Sequence, residues 1–172
     1  EEHAVALASG LALGGKKPVV CIYSTFMQRA FDQLVINNAL ANTNVVFCLD
    51  RAGLVGDDGP THHGVFDIAY GRMVPGVRMM APSDEVELVH MLHTALTLEG
   101  PVILRGPRGE ARGVELPAEP QVLEEGKSRT TREGSDVAIL AFGRMVQEAE
   151  GAADMLAEQG ISVRVVDMRW VK

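Results

Sequence analysis

The amino-acid sequence predicts an α/β protein with a doubly wound, mainly parallel sheet packed against helices. Short, continuous apolar runs rich in β-branched residues alternate with longer stretches of helical periodicity along the 172 residues. Aromatic residues make up only 5% of the chain, and the apolar residues are mostly Val, Leu, Ala, Ile and Met. Such residues suit helices that pack on parallel strands.

Four short apolar runs in the first two thirds of the chain predict buried strands, with helices between them. The predicted strands lie at residues 18–23, 44–49, 77–80 and 101–104, and the predicted helices at residues 2–13, 26–41, 65–71 and 84–98. Gly14 and Gly15 stop the first helix. Thr25 and Gln28 match a capping box, so they are predicted to open the second helix. Ser83 is predicted to cap the fourth helix.

The rest of the chain predicts a linker and the start of a second domain. Residues 110–135 are dominated by Gly, Glu, Pro and Arg and have weak periodicity. A strand at 136–142, a helix within 143–160 and a strand at 161–167 then form one right-handed βαβ unit. Because the chain starts in a helical pattern without Met and stops just after a strand, we expect a piece of a longer polypeptide. The predicted parts are a first domain at 1–115, a linker at 116–135 and the truncated beginning of a second domain at 136–172.

Composition argues against several classes of function. The formal net charge of −7 argues against nucleic-acid binding. No apolar run approaches the roughly 20 residues of a membrane span, and the first residues lack the pattern of a signal peptide. We therefore expect a soluble cytoplasmic protein without a membrane partner. Cys21 and Cys48 each lie in an apolar run, so we expect two reduced, buried thiols.

The loop at residues 50–64, DRAGLVGDDGPTHHG, carries the densest set of functional side chains. Its four glycines permit tight turns and close approach of a ligand. Arg51 offers a planar fork for phosphate or carboxylate, while Asp58 and His62 suit hydroxyl recognition and proton transfer near neutral pH. The alternative is a packed structural loop with solvated charges. His62 and His63 lack a third ligand at recognisable spacing, so we predict no metal site here.

Other candidates stay open on spacing alone. Phe26 and Arg29 share one helix face, where they could grip a flat heteroaromatic ring or be a core aromatic and a surface cation. Glu1 is, by pattern, an ordinary first-turn carboxylate. Arg105 and Arg108 bracket a turn that is either solvated or anion-binding. No GxGxxG in the required context, GxxxxGK[ST] or GxSxG motif supports a dinucleotide, P-loop or nucleophile-elbow site.

Five separated strings carry a family resemblance: EEHAV at 1–5, IYSTFMQRAFDQ at 22–33, DRAGLVGDDGPTHHG at 50–64, GPRG at 106–109 and VVDMRWVK at 165–172. Together they resemble the 1-deoxy-D-xylulose-5-phosphate synthase family, although DGPTH is shared with transketolases. The resemblance implies thiamine diphosphate and Mg²⁺ as cofactors. It implies condensation of pyruvate with D-glyceraldehyde 3-phosphate, with release of carbon dioxide. The product, 1-deoxy-D-xylulose 5-phosphate, is a precursor of isoprenoids, thiamine and pyridoxal.

The resemblance also implies roles for eight residues. Glu1 matches the glutamate that meets N1′ of the aminopyrimidine, Phe26 matches the aromatic residue that packs on that ring, and Arg29 lies beside it. The implied substrate-binding residues are Tyr23, Arg51, Asp58, His62 and Arg108. In the family pattern, Arg51 and Arg108 would hold the acceptor phosphate with Tyr23. Asp58 and His62 would address oxygens near the reacting carbon, so Glu1 and His62 are the catalytic candidates.

Three positions depart from the family pattern, and one family motif is not in the sequence. Gly106 stands where an aromatic residue is common, Gly71 where Leu is usual, and His63 where Gln or Asn is common. We expect Gly106 to loosen the placement of Arg108. The GDG…N motif, which holds magnesium and the diphosphate, belongs to the family's first domain. We therefore expect weak cofactor binding and no turnover from this piece without its missing N-terminal and C-terminal domains, in what is usually a homodimer.

Two alternatives remain at this point. A transketolase-like enzyme would transfer two carbons from ketose phosphates, which the DRAG and STFMQRA strings disfavour and a donor test would decide. A non-catalytic module that retained the fold is disfavoured because five candidate residues are intact, namely Glu1, Arg51, Asp58, His62 and Arg108.

Overall fold

The computed structural model describes all 172 residues and contains two β-sheets. The first sheet has four strands in the order β1-β2-β4-β3, and every neighbouring pair is parallel. These strands are β1 (Val19–Tyr23), β2 (Val46–Asp50), β3 (Arg78–Met80) and β4 (Val102–Arg105). Each lies close to its predicted position. Because the strands are parallel, their carboxyl ends meet at one edge of the sheet, where ligand loops are found in such folds.

Four helices connect and cover these strands: α1 (Glu2–Leu13), α2 (residues 24–39), α3 (Asp67–Met73) and α4 (Glu85–Thr97). α1 ends before Gly14, as predicted. α2 is continuous but irregular, with a 3₁₀ turn at Gln28–Ala30 and a π-helical turn at Leu34–Ala39. Buried Asn38 in the π-helical turn accepts a hydrogen bond from the Thr43 hydroxyl at 2.7 Å. Its polar group is therefore satisfied away from water.

Two predicted helix caps are wrong. α2 begins at Ser24, and the Gln28 side-chain amide donates to the carbonyl oxygen of Thr25 at 2.8 Å, so no capping box forms. α4 is capped by Asp84, whose Oδ1 accepts the Glu87 backbone N–H at 2.8 Å. The Ser83 hydroxyl donates instead to Asp167 Oδ2 at 2.7 Å. A partner 84 residues away overrides the local signal at Ser83.

Side chains of the first sheet alternate between two apolar clusters, as the two-residue period of a strand requires. Phe47 and Ile103 belong to the cluster that contains buried residues of α1, α2 and α3. Val46 and Leu104 belong to the cluster on the opposite face, beneath Met91 of α4. Helices therefore cover both faces of a parallel sheet, which confirms the predicted doubly wound α/β class.

The second sheet contains β5 (Arg129–Arg132), β6 (Val137–Ala141) and β7 (Val163–Asp167) in the order β5-β7-β6. β6 and β7 are parallel and are connected through helix α5 (Met145–Ala157), so the predicted βαβ unit is present. β5 pairs antiparallel with β7 and lies in the stretch that we expected to be linker. Its sequence, RTTR, has no apolar alternation, so its conformation depends on pairing with β7.

The chain after β7 joins the two sheets. The backbone N–H of Met79 donates to Lys172 O at 2.9 Å, and the N–H of Val171 donates to Met79 O at 2.8 Å. Met80 and Trp170 form an antiparallel bridge. The final residues therefore line the free edge of β3. None of the helices has both the length and the apolar composition that crossing a membrane requires.

The two cysteines are direct neighbours across β1 and β2, and both are free thiols. Cys21 is exposed and Cys48 is half-buried, so the prediction of two buried thiols is wrong for Cys21. The reason is that no β1 residue belongs to the apolar cluster under α4, which leaves this face of the edge strand uncovered. Burial raises the pKa of Cys48 to about 12, with a further contribution from Cys21, so Cys48 stays protonated at neutral pH.

Candidate functional site

The end of β1 and the first turns of α2 place three predicted site residues against one another. The rings of Tyr23 and Phe26 are stacked, with centroids 5.6 Å apart and an interplanar angle of 16°. The guanidinium carbon of Arg29 lies 5.2 Å from the centroid of the Phe26 ring. This contact follows from helical spacing, because residues three apart share one face. The result is an aromatic platform of Tyr23 and Phe26 with a cation over the Phe26 ring.

Glu1 reaches the same platform from a different element. It occupies the N-cap position of α1, and its Oε1 lies 3.5 Å from Nη1 of Arg29. The Glu1 side chain is 31% exposed and that of Arg29 is 60% exposed, so the pair is open to a ligand. A carboxylate, an arginine and the Phe26 ring therefore lie side by side at the surface.

The loop after β2 is closed at its base by Gly64. Gly53 and Gly64 exchange backbone hydrogen bonds of 2.7 and 2.9 Å. A Cβ atom at Gly64 would lie 2.4 Å from Ser24 Oγ and 2.7 Å from the carbonyl oxygen of Arg51. No side chain fits there, so glycine lets the loop pack directly on the start of α2.

Arg51, Asp58 and Arg108 form a compact group that we call the loop cluster. Arg51 has a φ of 55°, a left-handed conformation that is costly for a residue with a side chain. This conformation accompanies a guanidinium carbon 4.5 Å from the centroid of the Tyr23 ring and an ion pair with Asp58. Nε of Arg108 lies 3.2 Å from Oδ2 of the same Asp58. Two arginines thus converge on one carboxylate.

His62 connects the loop to the aromatic platform. Its ring meets the Phe26 ring edge-on, with centroids 5.3 Å apart and an interplanar angle of 66°. The hydroxyl of Thr61 lies 2.9 Å from Nδ1 of His62 and restrains the orientation of the ring. Adjacent His63 has a different role, because its Nδ1 accepts the backbone N–H of Val55 at 3.1 Å.

All eight predicted site residues are therefore linked by direct contacts into one group at the carboxyl edge of the first sheet. The contacts run from Glu1 through Arg29, Phe26, Tyr23, Arg51 and Asp58 to Arg108, with His62 against Phe26. No group of three or more His, Cys, Asp or Glu side chains is arranged to hold a metal ion. The group can offer an anion two guanidinium forks, which lie beside a partly exposed aromatic pair.

Sequence reasoning did not assign a role to a buried pair beside this group. Asp67 is 1% exposed and accepts a hydrogen bond from Nε of Arg105 at 2.7 Å. By its position in the sequence, Asp67 is an ordinary first-turn carboxylate. The sequence leaves two interpretations of Arg105, as part of a solvated turn or as part of an anion-binding site. The only local signal was the position of Arg105 at the end of a buried strand, where a charge needs a partner.

Two of the positions that depart from the family pattern fit the structure without disruption. The N–H of Gly106 donates to Leu49 O at 2.9 Å, and its carbonyl oxygen accepts from the N–H of Ala52 at 2.9 Å. The backbone that precedes Arg108 is therefore held on both sides at Gly106, while a looser placement of the Arg108 side chain stays a prediction. A Cβ at Gly71 would lie 3.0 Å from Met79 Sδ, so α3 packs more closely on β3 than most side chains would permit.

A cavity lies beside this group rather than within it. It has a volume of about 590 Å³ and is enclosed by the ends of β2 and β4, the start of α4, the segment after Arg108 and the start of α5. Asp50, Arg105 and Arg144 are among its lining residues, but none of the eight predicted site residues is. None of the eight residues is buried.

The fold and the site define a domain class, and the comparisons with known proteins agree with it. Residues 1–114 match the family model of the transketolase pyrimidine-binding domain, and residues 126–172 match that of the transketolase C-terminal domain. The chain belongs to the transketolase pyrimidine-binding domain family.

Among curated relatives, the chain is similar to 1-deoxy-D-xylulose-5-phosphate synthases. The chain is 54% identical over its full length to a 1-deoxy-D-xylulose-5-phosphate synthase of Syntrophomonas wolfei and 58% identical to one of Magnetococcus marinus. It spans only 27% and 28% of the lengths of these relatives. A solved structure of a split-gene transketolase, described as an inactive β4 tetramer, superposes with a TM-score of 0.87. That match has 31% identity and covers 98% of this chain and 54% of the other.

Proposed function

We propose that the chain is the pyrimidine-binding part of a longer, thiamine-diphosphate-dependent synthase, which we call the parent polypeptide. In this proposal the parent polypeptide condenses pyruvate with D-glyceraldehyde 3-phosphate, giving 1-deoxy-D-xylulose 5-phosphate and carbon dioxide. The observation that carries the proposal is the continuous contact of Glu1, Phe26 and Arg29 with the loop cluster. Identities above 50% to synthases over the whole chain support the choice of reaction.

The cofactor half of the proposed site consists of Glu1, Phe26 and Arg29. The donor set fits a pyrimidine ring, because it offers a partly exposed carboxylate next to a partly exposed aromatic ring. Glu1 would accept a hydrogen bond from the ring nitrogen N1′ and so hold a proton there. When bound, thiamine diphosphate supplies a nucleophilic carbon and an electron sink for decarboxylation.

The acceptor half consists of Tyr23, the loop cluster and His62. Two guanidinium groups share one carboxylate, which leaves a net positive charge for a phosphate dianion. Arginine suits this task because its planar fork makes paired, charge-assisted hydrogen bonds to phosphate. Asp58 would then accept a hydrogen bond from a substrate hydroxyl. His62 lies between the two halves, where it could move a proton near neutral pH.

The rest of the proposal concerns the parent polypeptide. The domain division is residues 1–115, a linker at 116–135 and a second domain from 136, with β5 pairing back onto β7. Magnesium ligands would come from another domain, and the parent polypeptide would act as a homodimer. Because none of the eight residues is buried, a second surface would close over the cofactor. The similar split-gene transketolase described as an inactive β4 tetramer supports our expectation that this piece alone lacks turnover.

The test measures carbon dioxide release from labelled pyruvate by the parent polypeptide with thiamine diphosphate and Mg²⁺. We expect release that depends on D-glyceraldehyde 3-phosphate and falls at least about 100-fold in Glu1→Gln, since a lost proton-transfer group typically costs about 10²–10⁴-fold. Glu2→Gln is the matched control, because Glu2 is the neighbouring exposed carboxylate of α1. Release that is unaffected by Glu1→Gln would remove Glu1 from the site. Two-carbon transfer from a ketose phosphate without release from pyruvate would overturn the proposed reaction.

A further inference from the structure

A largely buried ion pair joins Arg105, at the end of β4, to Asp67, at the start of α3. Nε of Arg105 donates to Asp67 Oδ2 at 2.7 Å, and Nη2 donates to Oδ1 at 3.5 Å. The side chains are 1% and 16% exposed, respectively. Neither residue is among the eight of the proposed site. Asp67 is therefore closed to a ligand, whereas Arg105 also lines the cavity beside the proposed site.

Arg105 fixes the strand end from which Arg108 extends. It is the last residue of β4 and is in register with Leu49 of β2. The next residue, Gly106, donates to Leu49 O and accepts from Ala52, each at 2.9 Å. Ala52 directly follows Arg51. The backbone segments that carry the two arginines of the loop cluster are thus hydrogen-bonded to each other within three residues of Arg105.

Asp67 lies after the far end of the 50–64 loop, which begins next to Arg51. It is the first residue of α3, directly after the loop that carries Asp58 and His62. One turn later, the buried Tyr70 hydroxyl donates to the Ser24 carbonyl oxygen at 3.4 Å. Burial and the nearby Asp67 carboxylate raise the pKa of Tyr70, so the phenol remains a donor. The ion pair therefore connects the end of β4, the end of the loop and, through Tyr70, the start of α2.

We propose that Asp67 and Arg105 are positioning residues for the phosphate of the acceptor. This inference rests on the proposed function. Their ion pair holds β4 and the loop in the one arrangement in which Arg51 and Arg108 face the same anion. A buried ion pair adds little net stability compared with apolar side chains of similar volume. Its placement between the two segments that carry the phosphate-binding arginines therefore points to geometry as its role.

The test compares phosphorylated and non-phosphorylated acceptors in the parent polypeptide. Arg105→Lys keeps the charge but loses the fork that spans both Asp67 oxygens. We expect the KM for D-glyceraldehyde 3-phosphate to rise at least about tenfold, since a displacement of about 1 Å can cost up to about 100-fold. The KM for D-glyceraldehyde and the Kd for thiamine diphosphate should change less than about twofold. A general loosening of the fold would move all three.

The matched control is Arg78→Lys. Arg78 makes an Nε contact of 2.6 Å with Glu125, but it lies at the opposite end of the first sheet from the loop cluster. We expect no change in any of the three constants. Asp67→Asn is a second variant, which should reproduce the acceptor-specific effect. If Asp67→Asn does not fold, Arg105→Lys alone decides the inference.

The outcomes separate this inference from the proposed function. Equal losses for both acceptors, or an unchanged KM for D-glyceraldehyde 3-phosphate, would overturn the positioning role. If the unaltered parent polypeptide releases no carbon dioxide, the proposed function fails, and calorimetric titration with D-glyceraldehyde 3-phosphate decides the positioning role. Binding that weakens at least about tenfold in Arg105→Lys but not in Arg78→Lys would retain it. Equal binding in both variants, or none to the unaltered protein, would reject it.

Discussion

Arginine and carboxylate side chains converge in two regions of this chain, and the carboxylates of the two regions differ in exposure. In the loop cluster, the side chains of Arg51, Asp58 and Arg108 are 29%, 19% and 45% exposed. At the junction of the two sheets, Glu87 and Asp167 are 1% and 0% exposed. We call Glu87, Arg129, Asp167 and Arg169 the junction cluster.

The partners of the carboxylates differ in the same way. Both oxygens of Glu87 accept from Arg169 at 2.8 Å, and Arg129 lies 3.1 Å away. Asp167 accepts from the Ser83 hydroxyl at 2.7 Å and from the Arg169 backbone N–H at 3.0 Å. In the loop cluster, two arginines face a single carboxylate oxygen and retain access to solvent. Arginine and carboxylate side chains therefore hold the two sheets together in the junction cluster. In the loop cluster they leave guanidinium groups available for a ligand.

The largest expected effect is on the stability of the junction cluster. Arg169→Ala leaves Glu87 buried with Arg129 as its remaining cation, and breaking a buried pair costs about 3–5 kcal/mol. We expect a loss of that size in the free energy of unfolding of the parent polypeptide, measured by urea denaturation. The control is Arg164→Gln, because Arg164 pairs with Glu133 on the surface and such pairs contribute less than about 1 kcal/mol. Similar losses in the two variants would remove the distinction between buried and exposed pairs.

A smaller effect, on binding rather than folding, is expected in the loop cluster. Arg108→Ala should raise the KM for D-glyceraldehyde 3-phosphate about 10–100-fold, because hydrogen bonds to charged groups contribute about 1.5–3 kcal/mol. The free energy of unfolding should change by less than about 1 kcal/mol, since Asp58 keeps Arg51. Arg108→Lys should recover part of the binding. A large loss of stability in Arg108→Ala would mean that the loop cluster is structural, like the junction cluster.

The smallest effect concerns pH. Burial raises the pKa of Asp167, and the Ser83 hydrogen bond only partly offsets this. The folded state then binds a proton more tightly than the unfolded state, so the contribution of Asp167 is most favourable below its unfolded pKa and is lost as pH rises through the folded pKa. The free energy of unfolding at about pH 7 minus that at about pH 4 should be less negative in Asp167→Asn than in the unaltered protein. An ordinary Asp titrates at about 3.9, so this interval extends from that pKa in the direction of the shift. Identical pH profiles, measured by urea denaturation, would contradict the raised pKa.

Much of this fold could be predicted because its signals are local. The four parallel strands lie where short apolar runs occur in the sequence, and α1 ends before Gly14. The errors arose where a distant partner competes with a local signal. Ser83 donates to Asp167 instead of capping α4. β5 has no apolar pattern of its own and forms by pairing with β7.

The candidate site was less predictable than the fold, because the sequence indicated its residue types but not all of its contacts. Residue types in the 50–64 loop indicated anion binding, and family resemblance supplied the membership of Glu1, which spacing alone made ordinary. No property of the sequence indicated that Asp67 and Arg105 pair, because their 2.7 Å contact joins residues 38 positions apart. The same is true of the exposure of Cys21, which depends on where α4 packs.

The sequence by itself determined the class of fold, the order of its elements and the residue types available for chemistry. These depend on hydrophobic periodicity, glycine and charge, which are properties of short segments. Only the tertiary structure decided which carboxylates are buried between the sheets and which stay partly exposed beside their arginines. The reason is physical, because the behaviour of a charge depends on the solvent and partners around it, and both are set by residues far away in the chain.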